Sequence, residues 1–548
     1  MSWFVRTTAL VAATAIVAYG VATTEDRTDP RWLALLIVLG LLWGVALWPA
    51  LGGEVRTMDR TMVHVVAAFG IGFLLVGAQL ARVQALDRER IQSRIYATGT
   101  EVVADPRRQR LAEESRRGRI LASDGTVIAE TQVGEDGRPR RVYPFGPAAY
   151  LAGYYSPALY GVANLELSYD AALSGRSEAR RLREWIDGIL HRPTPGYDIV
   201  LTIDPELQAL ADRLLGGRPG GVVLLDAHTG AVLAMASAPA FDPNKLSVGT
   251  SASEPELDAA RAYWESLQQS NDGRLVLRPT QGRYPPGSTF KTVTLTGALE
   301  SGIATLDKVY RDEGALTVDS RVIIEQNRPD PNRVSYTLEE GYGYSLNVVF
   351  AQLGLELGAS RLTEAAQRFG FGEPIPFDLP VVPSVVSVSP GYLTTAAGLA
   401  ETSFGQGQLL ATPLQMALVT AAVVNNGEIA VPYLVARIQT PTGEVVERHQ
   451  PRTWRRAVSP EIAAQVEQAM RWSVERGYAS GAQIPDAIVG GKTGTAEVGD
   501  RPPHAWFIGF AGRAEPQYVV AVVVENAGSG TEVALPIGKA LLEAALQR

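Results

Sequence analysis

Ser288 and Lys291 stand three residues apart in YPPGSTFK, and they form the only Ser-x-x-Lys pair in the 548 residues of the chain. A serine hydroxyl attacks a carbonyl effectively only when a neighbouring base removes its proton. A lysine can be that base where burial and nearby cations lower its pKa. Lysine is scarce here, five residues against 45 arginines, and two of the five fall in segments of this kind. Arginine's pKa is too high for base duty, so position 291 is one that arginine could not fill.

Two further segments supply complementary groups. In GYSLNVVF, Ser345 can relay a proton, and the Asn347 amide can both donate to and accept from a peptide. In GGKTGTAEV, Lys492 supplies positive charge, Thr493 and Thr495 offer hydroxyls that grip a carboxylate, and Gly494 allows close backbone approach. A lone Ser-x-x-Lys is commonly a helix surface and a lone Lys-Thr-Gly a strand-end turn. The ordered set Ser-x-x-Lys, Ser-x-Asn, Lys-Thr-Gly in one chain, with Ser345 lying 57 positions after Ser288 and Lys492 147 positions after Ser345, is a much stronger signal.

These residues need particular elements to hold them. Pro286 and Gly287 make a turn, and STFKTVTLTGALESG then reads as a helix ending near Gly302, with Ser288 at its N-terminus and Lys291 on the same face. Such a terminus also presents a backbone N–H to a developing oxyanion. The Thr495 N–H on a strand is the second candidate donor. DIVLTIDPELQALADRLLGG reads as a strand and a helix capped by Asp204, with Pro205 at its first position. GGVVLLDAHTGAVLAMASA is a strand hairpin, and AIVGGKTGTAEV, AWFIGFAG and YVVAVVVENA are three β-rich runs before a C-terminal helix. Strands at both ends with helices between predict an antiparallel sheet flanked by helices, an α+β plan. Upstream, Arg116–Thr131 predicts a short hairpin around Asp124–Gly125, GEDGRPRR a loop, Glu166–Gly175 a short helix, and RSEARRLREWIDGILHRPTPG a basic helix or excursion. The expected division is a membrane region over 1–83, a stalk and β-rich non-catalytic pedestal over 84–196, and a catalytic domain over 197–548.

Composition closes other routes. The chain has no cysteine, which removes thiol catalysis, iron–sulfur clusters and disulfides. Its five histidines show no metal-ligand spacing, so neither a metal nor any other cofactor is expected. His504 reads as a strand-edge residue and His228 as an exposed turn residue. Gly405–Gly407 reads as a loop and not a phosphate cradle. A net charge of −8 lends no support to a nucleic-acid partner.

The N-terminal region has three runs without Asp, Glu, Lys or Arg: Thr7–Thr24, Trp32–Gly53 and Thr61–Ala81. The second and third have the length of membrane spans, whereas the first is either a short span or a signal-peptide core. Both readings place everything after Arg82 outside the cytoplasm. The charged VQALDRERIQSRIY that follows reads as a helical stalk.

At this point the chain resembles the class B penicillin-binding proteins, peptidoglycan D,D-transpeptidases of cell division and elongation. The likeness extends beyond the three motifs to RRGRILASDGTVIAE, GVANLELSYDAALSG, GVVLLDAHTGAVLAMASAPAFDPN and FGQGQLLATPLQMALVTAAVVNNGEIAVPYLV. The resemblance implies a pedestal and a transpeptidase domain, with Ser288 acylated and Lys291 as its base. Ser345 and Asn347 would shape the proton relay and hold the donor stem peptide. Lys492, Thr493, Gly494 and Thr495 would bind the terminal carboxylate and complete the site. It implies stem peptides of lipid-linked peptidoglycan precursors as substrate, β-lactams as covalent inhibitors and extracytoplasmic domains, and the apolar runs predict a multi-pass cell-membrane protein. The 114 residues between Arg82 and Tyr197 carry the pedestal motifs and leave no room for a glycosyltransferase, so glycan polymerisation would come from a membrane-embedded partner. Two features depart from the family pattern: three apolar segments where one anchor is usual, and Leu277 and Pro279 before the nucleophile where many members read Asn-Arg-Ala. A β-lactam sensor or hydrolase shares two of the motifs, but the Ser345-Leu-Asn347 triplet and pedestal argue against it. A non-catalytic scaffold would not need the intact set.

Overall fold

A computed structural model of the chain describes residues 3–23, 30–47, 57–81, 95–98, 101–104, 117–135, 137–175, 195–250 and 252–548. The chain divides into two compact units, 1–114 with 180–194, and 115–179 with 195–548.

In the first unit, helices α1 (Trp3–Thr23), α2 (Pro30–Leu47) and α3 (Thr57–Ala81) coincide with the three apolar runs. Among the described residues, no helix is long and apolar enough to cross a membrane. The helical stalk expected after Arg82 lies largely outside the described residues. Its last residues are not helical: β1 (Ile95–Thr98) pairs with β2 (Glu101–Ala104). A β-branched and an aromatic residue in succession, Ile95 and Tyr96, favour that extended backbone. The basic segment between Gly175 and Pro195 also lies outside the described residues.

The second unit is built on two sheets. The pedestal contributes β3 (Ile120–Leu121), β4 (Val127–Val133) and β5 (Pro139–Val142), with the expected turn at Asp124–Gly125, where Gly125 has φ +94°. The expected loop GEDGRPRR ends in a strand, because β5 pairs with Glu130–Val133. It is drawn in by Arg141, whose buried guanidinium bonds Glu166 Oε1 at 2.7 Å. The short helix expected over Glu166–Gly175 is two, Asn164–Ser168 and Asp170–Leu173, broken at Tyr169. The six-stranded sheet continues through β6 (Asp198–Leu201), which runs parallel to β3 and antiparallel to Val435–Gln439. Chain from both sides of the Tyr197 boundary therefore shares one ladder.

Helix α4 (Pro205–Leu215) starts as expected, with the Asp204 carboxylate accepting from the N–H groups of Glu206 and Leu207, and ends where Gly216 turns left-handed at φ +58°. The second sheet has five antiparallel strands: β7 (Gly220–Asp226), β8 (Val232–Ala238), β9 (Ile488–Val498), β10 (Arg501–Gly512) and β11 (Tyr518–Val524), in the spatial order β8-β7-β11-β10-β9. Successive strand residues face opposite sides. Val222, Leu224, Phe507, Val520 and Val522 pack with α4 and the C-terminal helix Leu535–Ala545. Val223, Leu225, Ile508, Val519 and Ala521 pack with the central helices, among them Lys291–Glu300, Asn347–Leu357 and Pro413–Val424. Both faces are covered, so the strands read as continuous apolar runs. This is a mixed α/β arrangement with the β9 edge left beside the candidate site.

Candidate active site

The three motifs converge on one cleft of about 730 Å³, whose walls include Ser288, Ser345, Asn347, Thr493 and Thr495. Lys291, Lys492 and Gly494 stand behind that lining. A smaller cavity of about 360 Å³, lined in part by Arg140, Lys245 and Tyr263, contains none of the motif residues.

Ser288 sits in a single 3₁₀ turn, Gly287–Phe290, that runs directly into the helix Lys291–Glu300. Gly287 has φ +55°, and its N–H donates to the Gly405 carbonyl at 2.9 Å. A Cβ at 287 would lie 3.1 Å from the Thr495 carbonyl, so the Ser288 turn is pressed against β9. Trp506 Nε1 donates to the Pro285 carbonyl at 2.9 Å and Thr289 Oγ1 to the Pro286 carbonyl at 2.8 Å. The half-buried serine is therefore held by a turn fixed at several points. The loop reading of Gly405–Gly407 holds, and that loop is one of those points.

Residues Lys291 to Leu299 are all buried. Three residues along a helix from Ser288, the Lys291 side chain reaches across to the second motif. Its Nζ donates to the Ser345 carbonyl at 2.6 Å and to Asn347 Oδ1 at 2.8 Å, and lies 3.4 Å from Ser345 Oγ. Burial pushes its pKa down to about 7, against a smaller opposing pull from Glu325. A lysine near neutrality at working pH can take a proton and return it. Asn347 opens the helix Asn347–Leu357, and Ser345, at φ +62°, makes the sharp entry that turns its carbonyl toward Lys291.

On β9, alternation separates the third motif. Thr493 and Thr495 face the cleft, whereas Lys492 points into the protein, fully buried, with Nζ donating to the Thr493 carbonyl at 3.0 Å and lying 5.8 Å from the centre of the Tyr342 ring. Burial, and then the nearby Lys291, hold its pKa well below the ordinary lysine value. Lys492, expected to supply a positive charge, has no ion-pair partner among the described residues, and its enclosure favours the neutral amine. At Gly494 a Cβ would crowd the Pro286 carbonyl, Thr289 and Trp506, each at about 3 Å, so only glycine lets the strand meet the nucleophile turn.

Sequence reading missed the residues that carry this arrangement from behind. Asn327 Nδ2 also donates to the Ser345 carbonyl, at 3.2 Å, and the Tyr478 hydroxyl donates to the Asn327 carbonyl at 2.7 Å. Glu325, buried, accepts from the N–H groups of Asn327 and Val348. At the mouth Arg321 is ion-paired with Glu401. No spacing pattern in IIEQN could have flagged them. His504 is not a strand-edge residue: it lies in the inner strand β10, buried, its Nδ1 accepting from the Asn526 N–H at 3.0 Å, and burial lowers its pKa. His228 is exposed in the β7–β8 turn as expected.

Comparison with known proteins agrees with this geometry. Residues 220–543 match the family model described as the penicillin-binding protein transpeptidase domain, and residues 117–199 match the penicillin-binding protein A dimerisation domain. The chain is 36% identical over 474 residues to the peptidoglycan D,D-transpeptidase PbpA of Mycolicibacterium smegmatis, covering 81% of this chain and 92% of that one. It is similar in structure to penicillin-binding protein A of M. tuberculosis. The imipenem acyl-enzyme complex superposes with TM-score 0.72 at 33% identity, covering 79% of this chain and 99% of the other. The penicillin G acyl-enzyme complex gives TM-score 0.71 at 32% identity, with 79% and 100% covered.

Proposed function

The chain belongs to the penicillin-binding-protein transpeptidase family, and from that premise we propose how its residues divide the work of a serine-type peptidoglycan D,D-transpeptidase. Ser288 Oγ attacks the carbonyl of the penultimate D-Ala of a stem pentapeptide while Lys291 takes the hydroxyl proton. The tetrahedral oxyanion is held by the backbone N–H groups of Ser288 and Thr495. Collapse expels the terminal D-Ala, whose amine takes a proton relayed through Ser345, and leaves an acyl-enzyme. An amine of a second stem then attacks, Lys291 again serving as base, and the cross-link forms as Ser288 recovers its proton. Asn347 holds the donor backbone, and Thr493, Thr495 and the charge of Lys492 hold the terminal carboxylate. A β-lactam follows the first half and stalls as the acyl-enzyme.

One observation carries this reading: a buried lysine with a pKa of about 7 bonded to both Ser345 and Asn347 behind the cleft that holds Ser288. Labelled penicillin should modify the protein at one site, and Ser288→Ala should abolish the modification. Labelling that survives in the variant would place the nucleophile elsewhere, and steady turnover of penicillin would mark a hydrolase.

The pedestal is proposed over 84–196 and the catalytic domain over 197–548. The helices α1–α3 are proposed to anchor the chain in the cell membrane with both domains on the outer side. The uncharged runs Thr7–Thr24 and Trp32–Gly53 support this, as do Phe4, Phe69 and Phe73, each more than two-thirds exposed. Glycan strands would come from a membrane-embedded polymerase, since the stretch before the transpeptidase domain is occupied by pedestal.

A further inference from the structure

We infer that Glu325 is a positioning residue of the transpeptidase reaction: it pins the start of the Asn347 helix and the loop whose Asn327 shares the Ser345 carbonyl with Lys291, and so brings an anionic carboxylate near that lysine. The inference rests on the transpeptidase reading above. Glu325 follows the hairpin strand Arg321–Ile324 at the cleft wall and is itself buried. One carboxylate oxygen accepts from the Asn327 N–H at 2.9 Å, which holds the short loop in shape. The other accepts from the Val348 N–H at 3.0 Å, in the first turn of the helix that Asn347 begins. The preceding residue Leu346 has no side chain able to cap that helix, and Glu325 supplies the missing acceptor from a distant segment.

The same loop reaches Lys291 by a second route. Asn327 Nδ2 and Lys291 Nζ both donate to the Ser345 carbonyl, at 3.2 and 2.6 Å. Holding Asn327 therefore holds the oxygen that anchors the lysine. Lys291 is bonded to Ser345 and Asn347 from the second motif and lies 5.4 Å from the Phe350 ring, and the charged groups that act on it are Lys492 from β9 and Glu325. Of these only Glu325 is anionic, and it is the one group that works against burial to keep Lys291 protonated. Its effect is to keep the lysine's proton affinity high enough for the proton gained from Ser288 to stay until the leaving amine needs it.

The test is the pH profile of acylation by a chromogenic cephalosporin, measured on the full-length protein. The wild-type rate should rise through an acid limb as Lys291 loses its proton. Glu325→Gln removes the charge, so that limb should move to lower pH by about one unit. Glu325→Asp keeps the charge and should keep the wild-type limb while acylating more slowly. A Gln limb superimposable on wild type with only a lower plateau would overturn the inference, as would an Asp limb displaced like that expected of Gln. If Gln does not fold, the position of the Asp limb decides. Failure of the transpeptidase reading itself looks different: the wild type would acylate at no pH.

Discussion

Lys291 Nζ meets the main-chain carbonyl of Ser345 at 2.6 Å, and it does so because Ser345 adopts a left-handed backbone at φ +62°. A non-glycine residue in that region carries strain, which persists only where surrounding contacts hold it. Here the ammonium of Lys291 and the amide of Asn327 both bind the carbonyl so displayed. Lys291 is thus oriented by backbone.

Acylation should depend on pH with a defined sign. Burial lowers Lys291 to a pKa of about 7, so the neutral, proton-accepting form grows as pH rises through that value. Acylation by penicillin should be slow at pH 5.5, rise through neutrality and level off above pH 8. Lys291→Arg should reduce the plateau by about 10²–10⁴-fold, the usual contribution of general-base catalysis. Stopped-flow fluorescence across the pH range reads both effects.

The nucleophile turn should be sensitive to a residue 117 positions away. Gly405 has φ +94°, and a Cβ there would land on the Gly287 carbonyl. Gly405→Ala should move the Ser288 turn and slow acylation by about 10²-fold, the scale of a small misplacement of reacting groups. The melting temperature should fall far less than a core cavity would require.

Carboxylate recognition should be visible in the inhibitor. Esterifying the carboxylate of penicillin removes the anion that Thr493, Thr495 and Lys492 are proposed to hold. The ester should acylate about 10–10²-fold more slowly, the range for losing a hydrogen bond to a charged group. In Lys492→Met the difference between acid and ester should narrow, to what Thr493 and Thr495 alone provide. Equal rates in the wild type would show that the third motif does not bind the carboxylate.

Stability of the pedestal should hinge on Glu166. This fully buried carboxylate bonds Arg117 Nε at 2.6 Å and Arg141 Nε at 2.7 Å. Burial alone would raise its pKa, but the two guanidiniums outweigh burial and hold it below the usual carboxylate range. A carboxyl with a depressed folded-state pKa contributes stability above its unfolded value, and that contribution is lost as pH falls through the folded value. Glu166→Ala leaves the buried Arg141 without its carboxylate and Arg117 with Asp170 alone, and should cost about 3–5 kcal/mol in urea unfolding at pH 7. Ser288 should still acylate in the folded fraction.

The chemistry of this protein is readable from residue order because its reacting groups lie in short local motifs. A turn and helix place Lys291 one turn after Ser288, Asp204 caps its helix through groups two and three residues on, and alternating strands carry Thr493 and Thr495 on one face. Each is a short-range consequence of backbone geometry. What only the tertiary structure decided is long-range. Glu325 and Asn327 support Ser345 and Val348 from roughly 20 residues away, and Glu525 bonds Tyr284 across 241 residues. His504 became an inner-strand residue because β11 covers its strand, and Lys492 became a buried amine with a lowered pKa because the fold encloses it beside Tyr342 and Lys291. Such placements depend on which strands and helices become neighbours, and local periodicity carries no record of that choice. Composition had singled out the lysines, and the fold's exclusion of water brought the pKa of one of them, Lys291, down to about 7.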